Sequence, residues 1–397
     1  MDFSRSCSVL ITCARGLTPY LEQEMTSLEF PILSRHKTGL VTNASLNDTL
    51  RLNLNLSTAY NVLYLLKEFN AQSSDDLYRE TGTIDWDDII PDDEYVSIVA
   101  HTHTPVIRNS LFAAQKTKDA IVDQLARRRG KRPDSGPKKS NIVIHLYWEH
   151  ARCWLYLNTS GRKLSDRNWR KNPYKAPMQE TLAAGVIMAT GYDGTQPFVN
   201  PMCGSGTIAI EAALRALTRP AGSLRDNFGF MHIRGFQRHR WDTLRAQVIR
   251  NTKKILPAPI IATDIDQNAI EAARNNAQTA GVAHLIEFKI CDVADTPIPP
   301  GNGIVIVNPE YGQRLGKTED LAAIYKRLGD FFKQRCNSYA CYIFTGNNEC
   351  AKKVGLRSNR RLTFFNAQIE CRLLRYEMYS GSKNFKIRGT VLPYHDI

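Results

Sequence analysis

The sequence predicts an α/β fold, with a predominantly parallel sheet covered by helices on both faces and an α+β block ahead of it. Two patterns carry this. From about residue 175, continuous apolar runs alternate with amphipathic stretches: QPFVN, IAIEAALRAL, IIATD, NAIEAARNNAQTAG, IEFKICD, GIVIVN, LAAIYKRLGDFFKQR and YACYIFTG. Unbroken apolar strands between helices are buried on both faces, which is the habit of a parallel sheet. Closing runs, RLTFFNAQI with CRLLRYEMY, complete that half. Earlier in the chain the order is mixed, and alternating apolar positions mark hairpins instead.

In chain order, SVLITCA reads as a strand, TPYLEQEMTSL and NDTLRLNLNL as helices, and YNVLYLLKEF as a strand. YVSIVAHTH is the next strand, followed by a long helix in IRNSLFAAQKTKDAIVDQLARRRG and a hairpin in NIVIHLYW and ARCWLYLNTS. Between that helix and the hairpin, GKRPDSGPKKS is turn-rich and solvated. These shifts divide the 397 residues into units of about 1–70, 71–165 and 166–397, a number of domains that suits the length.

With 43% hydrophobic and 23% charged residues, the chain is neither disordered nor fibrous. It has no apolar run of membrane-spanning length, and MDFSRSCSVLITCARG lacks the layout of a signal peptide. Nine cysteines without a CxxC pair or a Cys/His cluster fit reduced thiols in a cytoplasmic setting, with no metal site. A net charge of +13 favours a polyanionic partner.

Ligands of such sheets bind at the carboxyl ends of the strands. The first of these carries VNPMCGSGTIAIEAA, where Gly204 and Gly206 let the backbone turn and approach a ligand ahead of a helix N-terminus. A P-loop is excluded because no lysine follows Gly206. A dinucleotide site needs its acid about 20 residues on, whereas the second strand ends at Asp264, about 60 residues after the loop. An S-adenosylmethionine site fits better. In such a site the loop meets the methionine part, Asp264 in ATDID takes the ribose hydroxyls, and Asp292 in KICDVAD the adenine amino group. Asp266 reads as the cap of the helix that follows.

The fourth strand runs GIVIVN into Asn308-Pro309-Glu310-Tyr311. CGSGT, ATDID and NPxYG in this order resemble class I methyltransferases that act on exocyclic amines. APMQETLAAGVI before the loop, IECRLLRYEMY at the end, and CARGLTPYLEQEM with IRNSLFAAQKTKDAIVDQL near the start narrow the resemblance. Together they are similar to the bacterial THUMP-domain guanine-N2 methyltransferases of 23S rRNA, over nearly the whole chain.

That resemblance implies a class I, Rossmann-like methyltransferase domain with a predominantly parallel seven-stranded sheet in 166–397. It implies a ferredoxin-like domain in 1–70 and a THUMP RNA-binding domain in 71–165. Asn308, Pro309 and Tyr311 would be catalytic, with Glu180, Thr181, Asn200, Cys203, Gly204, Gly206, Asp264 and Asp292 binding S-adenosylmethionine. The substrate would be 23S rRNA near the peptidyl-transferase region, with tRNA or a role as an inactive RNA-binding assembly factor as alternatives. A DNA adenine methylase shares NPxY but leaves the amino-terminal block unexplained.

Two positions depart from the family pattern. Asn200 stands where aspartate is usual, keeping an acceptor but giving up a negative charge, and Glu310 replaces the second proline of NPPY. Chemically, the Asn308 side-chain oxygen and the Pro309 carbonyl can hold the two hydrogens of a weakly nucleophilic amine, and Tyr311 can support an unstacked base. For RNA phosphates the candidates are Arg108, Lys116, Lys118, Arg127, Arg128 and Arg129 on the long helix. Arg238 and Arg240 form a second basic patch, expected near the active-site rim.

Overall fold

The structure of the protein, a computed structural model, describes residues 1–175, 177–310 and 318–378, with the backbone alone for 318–320. The amino-terminal half runs β1 (Ser6–Cys13), α1 (Thr18–Ser27), β2 (Ser34–His36), β3 (Gly39–Ser45), α2 (Leu46–Asn55) and β4 (Ala59–Asn70). It continues with α3 (Ser74–Gly82), β5 (Val96–His103), α4 (Ser110–Arg129), β6 (Ile142–Glu149) and β7 (Arg152–Asn158). Local signals set these bounds. Ser45 and Asp48 form a reciprocal capping box at the start of α2, and α4 runs from an Asn109 cap to Gly130, whose φ of +69° ends it.

All seven strands join one sheet in the order β2-β3-β1-β4-β7-β6-β5. The blocks expected at 1–70 and 71–165 therefore share a continuous sheet, with Phe69 of β4 opposite Cys153 of β7. A bulge between Leu65 and Lys67 lets the 12-residue β4 bend from one block into the other.

The second half contains α5 (Glu180–Thr190), β8 (Phe198–Pro201), α6 (Thr207–Ala216), α7 (Arg238–Arg250), β9 (Ile260–Asp264), α8 (Gln267–Ala280) and β10 (Ile286–Ile290). It ends with β11 (Ile304–Val307), α9 (Thr318–Arg335), β12 (Ala340–Thr345), α10 (Asn348–Lys352), β13 (Arg360–Asn366) and β14 (Ile369–Glu377). The sheet order is β10-β9-β8-β11-β12-β14-β13. The five strands from β10 to β12 are parallel, and β14 enters antiparallel with β13 as its hairpin partner. Both faces are dry: Phe198, Ile304, Ile306 and Phe344 pack into one core, and Val199, Val305, Val307 and Ile343 into another. This is the doubly covered sheet that the apolar runs predict.

One element has no counterpart among the expected ones, and one expected placement does not hold. Helix α5 is so uniformly apolar that it has no amphipathic period; it packs between α6 and the amino-terminal half, with Gly185 against Leu17 and Tyr20. The segment holding Arg238 and Arg240 is not at the active-site rim. It links the end of α6 to the start of β9, and such helix-to-strand connections lie at the amino edge of a parallel sheet, away from the glycine loop. Its contacts agree: Lys253 N–H bonds Leu217 O, Phe230 N–H bonds Thr159 O, and Arg234 pairs with Asp92.

Candidate active site

Central strand β8 has β9 on one side and β11 on the other, so the chain leaves it in opposite directions and opens a crevice at its carboxyl end. Most of the expected site residues converge there. Asn200 is the penultimate residue of β8, Cys203 to Gly206 form the loop, Asp264 ends β9, Asp292 follows β10, Asn308 to Glu310 follow β11, and Glu180 with Thr181 open α5. Tyr311 lies outside the described residues.

The glycine loop is held in left-handed backbone at three positions, Met202 (φ +53°), Gly204 (φ +54°) and Gly206 (φ +83°). A Cβ on Gly204 would meet only open space, whereas one on Gly206 would lie 2.9 Å from the Ala273 Cβ of α8. The first glycine thus keeps a ligand cradle clear, and the second seats the loop on a helix. Gly206→Ala is expected to destabilise the protein by about 1–3 kcal/mol, measured as a lowered denaturant midpoint. An unchanged midpoint would mean that α8 shifts aside without cost. Helix α6 begins at Gly206 with no side-chain cap, which leaves its first N–H groups facing the crevice.

Asp264 accepts Gly204 N–H at Oδ2 (2.9 Å) and Asp266 N–H at Oδ1 (3.0 Å). The carboxylate is oriented by backbone on both oxygens and retains lone pairs for hydroxyl donors. Asp266 caps α8 through Asn268 N–H, as its position predicts. Ile265 between them is 69% exposed, an apolar surface beside the acid that the sequence reading did not single out. Asp292 accepts Ala294 N–H and pairs with Arg327, both through Oδ1. Burial, with the Asp264 charge nearby, pushes the Cys203 thiol well above its ordinary range, so it packs as a neutral group.

Asn200 and Asn308 each place a side-chain oxygen out of solvent with no hydrogen-bond partner among the described residues. For Asn200 the orientation is decided by its amide nitrogen, which donates to Ile306 O at 2.8 Å and leaves Oδ1 aimed the other way. The departure from aspartate therefore adds a tie from β8 to β11, two residues before Asn308. An unmet buried acceptor costs about 1–3 kcal/mol, and two of them on adjacent strands call for donors from a ligand. An ammonium such as that of S-adenosylmethionine fits Asn200 Oδ1, and the amine of a substrate fits Asn308 Oδ1. Restoring aspartate at Asn200 sets a carboxylate against Ile306 O, and should lower stability by about 1–3 kcal/mol in a denaturant titration; an unchanged midpoint would mean the tie to β11 carries little.

Glu180 has a fixed partner. Arg170 bonds its carboxylate (2.8 Å), Ser205 Oγ (3.0 Å), Thr207 Oγ1 (2.9 Å) and Met178 O (3.0 Å). Burial raises the Glu180 carboxyl above its usual range, with Arg170 opposing. Glu180 thus acts on the loop through Arg170. Fully buried Thr181 follows it at the start of α5. Arg170 lies in SDRNWRKNPY, which shows no periodicity and no motif, so nothing in the sequence marked it.

The basic helix is partly spoken for. Arg128 pairs with Asp85, Arg129 with Asp87 and the carbonyls of Ile90 and Pro91, and Lys116 with Asp75. Arg129 is only 13% exposed and fastens the end of α4 to the segment before β5. Arg238 pairs with Asp242 on its own helix. Arg108, Lys118, Arg127 and Arg240 have no ion-pair partner among the described residues, and Arg127 bonds Asp123 O of its own helix. Nine cysteines are free thiols, and among the described residues no group of three or more His, Cys, Asp or Glu is placed to hold a metal.

A strand order of this kind, a glycine loop, strand-end acids and an Asn-Pro motif define a class I methyltransferase domain, here behind an α+β sheet. Residues 167–375 match the RMKL-like methyltransferase domain and residues 71–158 the THUMP domain, and the chain belongs to the RMKL-like methyltransferase family. Across 93% of its length it is 32% identical to slr0064 of Synechocystis sp., covering 96% of that protein, whose name places it provisionally among RNA methyltransferases. It is 35% identical over 94% of its length to ribosomal RNA large subunit methyltransferase K/L of Psychromonas ingrahamii, of which it covers 50%. The chain thus spans about half the length of the K/L relatives it matches. The crystal structure of SMU.472 complexed with SAH shares the fold, with a TM-score of 0.85 at 22% identity over 96% of this chain and all of that one. S-Adenosylmethionine is the cofactor of the domain.

Proposed function

We propose that this chain methylates the exocyclic N2 of a guanine in 23S rRNA, in the peptidyl-transferase region, with 1–70, 71–165 and 166–397 as ferredoxin-like, THUMP and methyltransferase domains. The observation that carries the reading is the buried Asn308 Oδ1 at the carboxyl end of β11, without a hydrogen-bond partner among the described residues. A cytoplasmic setting suits that substrate, and among the described residues no helix is long and apolar enough to cross a membrane. The guanine assignment rests on the resemblance of the whole chain, THUMP block included, and the ribosomal target on the names of the K/L relatives.

When bound, S-adenosylmethionine supplies an electrophilic methyl group on a sulfonium. Asp264 holds ribose hydroxyls, Asn200 Oδ1 an ammonium, and Asp292 the adenine amine. The bare N-terminus of α6 and the open side of Gly204 leave room for the methionine part. Asn308 Oδ1 and the Pro309 carbonyl accept the two hydrogens of the target amine, which directs its lone pair and removes orientational freedom from the barrier. No strong base is needed, because the amine becomes acidic once alkylated. Calorimetry with S-adenosylhomocysteine tests this site. Micromolar binding is expected, and no binding by the folded chain would favour an RNA-binding factor without activity.

RNA contact falls to the cations that remain free. Arg127→Glu with Lys118→Glu should weaken RNA binding and flatten its salt dependence, since fewer counterions are released. Arg129→Glu should instead lower stability, because Asp87 would face a like charge. A salt slope identical in the Arg127/Lys118 variant and the parent would place the RNA path elsewhere.

A further inference from the structure

The stretch from Arg170 to Lys175 borders the crevice, tied both to the glycine loop and to α8. Fully buried Asn276 of α8 accepts the N–H groups of Lys171 and Asn172 at 3.0 Å each, and donates to Asn172 O (2.9 Å) and Ser205 O (3.1 Å). The Tyr174 hydroxyl donates to Asp266 at the head of α8. Arg170 bonds the glycine loop through Ser205 and Thr207. The strap is therefore rigidly tied to the cofactor loop. Its next residue, Lys175, in left-handed backbone at φ +45°, reaches across to Glu310 with Nζ 3.6 Å from Oε1.

Glu310 is where this chain departs from the proline of its family, and its carboxylate meets a cation on the strap. We propose that Lys175 is a positioning residue for methyl transfer: through Glu310 it holds the Asn308–Pro309 acceptors in register with the cofactor loop. The ion pair does the work that a ring-locked φ does where proline stands, limiting the conformations of the turn after β11. Glu310 is thereby engaged from the strap side and is not the group that reads the base. At 47% and 40% exposure the pair is weak in the open site, and it strengthens as RNA displaces water from the crevice. The Tyr174 hydroxyl first, then Glu310 and Asp266, hold the Lys175 ammonium above its usual range, so it stays charged at neutral pH.

This inference rests on the methyl-transfer reading, but its test has a part that does not. Amide hydrogen exchange is followed by mass spectrometry in the peptide ending at Glu310, on the full chain without RNA or cofactor. Lys175→Glu should raise exchange there at least threefold, the Lys175→Glu/Glu310→Lys double variant should restore it, and Lys171→Ala should leave it as in the parent. In single-turnover transfer from tritiated S-adenosylmethionine to rRNA from a strain lacking the protein, Lys175→Glu should slow the step about fivefold, and the swap should recover it within twofold. S-Adenosylhomocysteine affinity should move less than twofold. Unaltered exchange in Lys175→Glu, or a swap that fails to rescue, overturns the proposal. A parent inert on that RNA whose exchange responds as described upholds the restraint of the turn by Lys175 and overturns the substrate assignment.

Discussion

Asn308→Ala is expected to slow methyl transfer more than about a hundredfold, roughly 2.7 kcal/mol of barrier, while Glu310→Gln and Glu310→Pro stay within about tenfold of the parent. The asymmetry follows from where the two side chains are. Asn308 offers an oxygen with no hydrogen-bond partner among the described residues, just after a strand whose Val307 is fully buried. Removing it takes away an acceptor for the amine and leaves the lone pair undirected. Glu310 is 40% exposed on its side chain and spends its charge on Lys175. Losing that pair loosens a turn, and proline there replaces one restraint with another. Single-turnover rates on guanine-containing RNA decide between these roles. A collapse of Glu310→Gln to the level of Asn308→Ala would make Glu310 the residue that reads the base.

The second large effect is on the cofactor. Asp264→Ala should weaken S-adenosylhomocysteine binding by one to two orders of magnitude, about 1.4 kcal/mol per tenfold. Two losses combine: the hydroxyl acceptors go, and the N–H groups of Gly204 and Asp266 lose the carboxylate that orients them. The position ends an edge-ward run of β9, after four buried residues that fill the core, so the fold should persist. Calorimetry on a variant with parental circular dichroism reads the result. Affinity equal to the parent's would remove Asp264 from the site.

Much of this architecture was visible in the residues because burial on two faces leaves a strong trace. IIAT, GIVIV and YACYIFT can only be doubly covered strands, and their order fixes which ends face a ligand. Position at the crevice was legible wherever a motif sits at a strand end, as with Asn200, Gly204, Asp264, Asp292 and Asn308. What stayed hidden depends on contacts across long sequence separations. The pairing of β4 with β7, which fuses two expected blocks into one sheet, leaves no local pattern. Arg170 and Asn276 are polar residues whose importance comes from partners far away in the chain, and charge alone could not separate free Arg127 from Arg129, which is held by Asp87. The basic patch at Arg238 and Arg240 was misplaced because proximity to the glycine loop in sequence is not proximity in space: helix α6 carries the chain to the opposite edge of the sheet.

The most direct measurement is of the product nucleoside. Ribosomal RNA and tRNA from a strain lacking the protein are incubated with the purified chain and tritiated S-adenosylmethionine, digested to nucleosides, and separated by chromatography with mass detection. Label should appear as N2-methylguanosine in 23S rRNA and be lost with Asn308→Ala. Label in N6-methyladenosine, label confined to tRNA, or no incorporation into either RNA by a chain that binds S-adenosylhomocysteine would contradict the assignment of this protein as a 23S rRNA guanine-N2 methyltransferase.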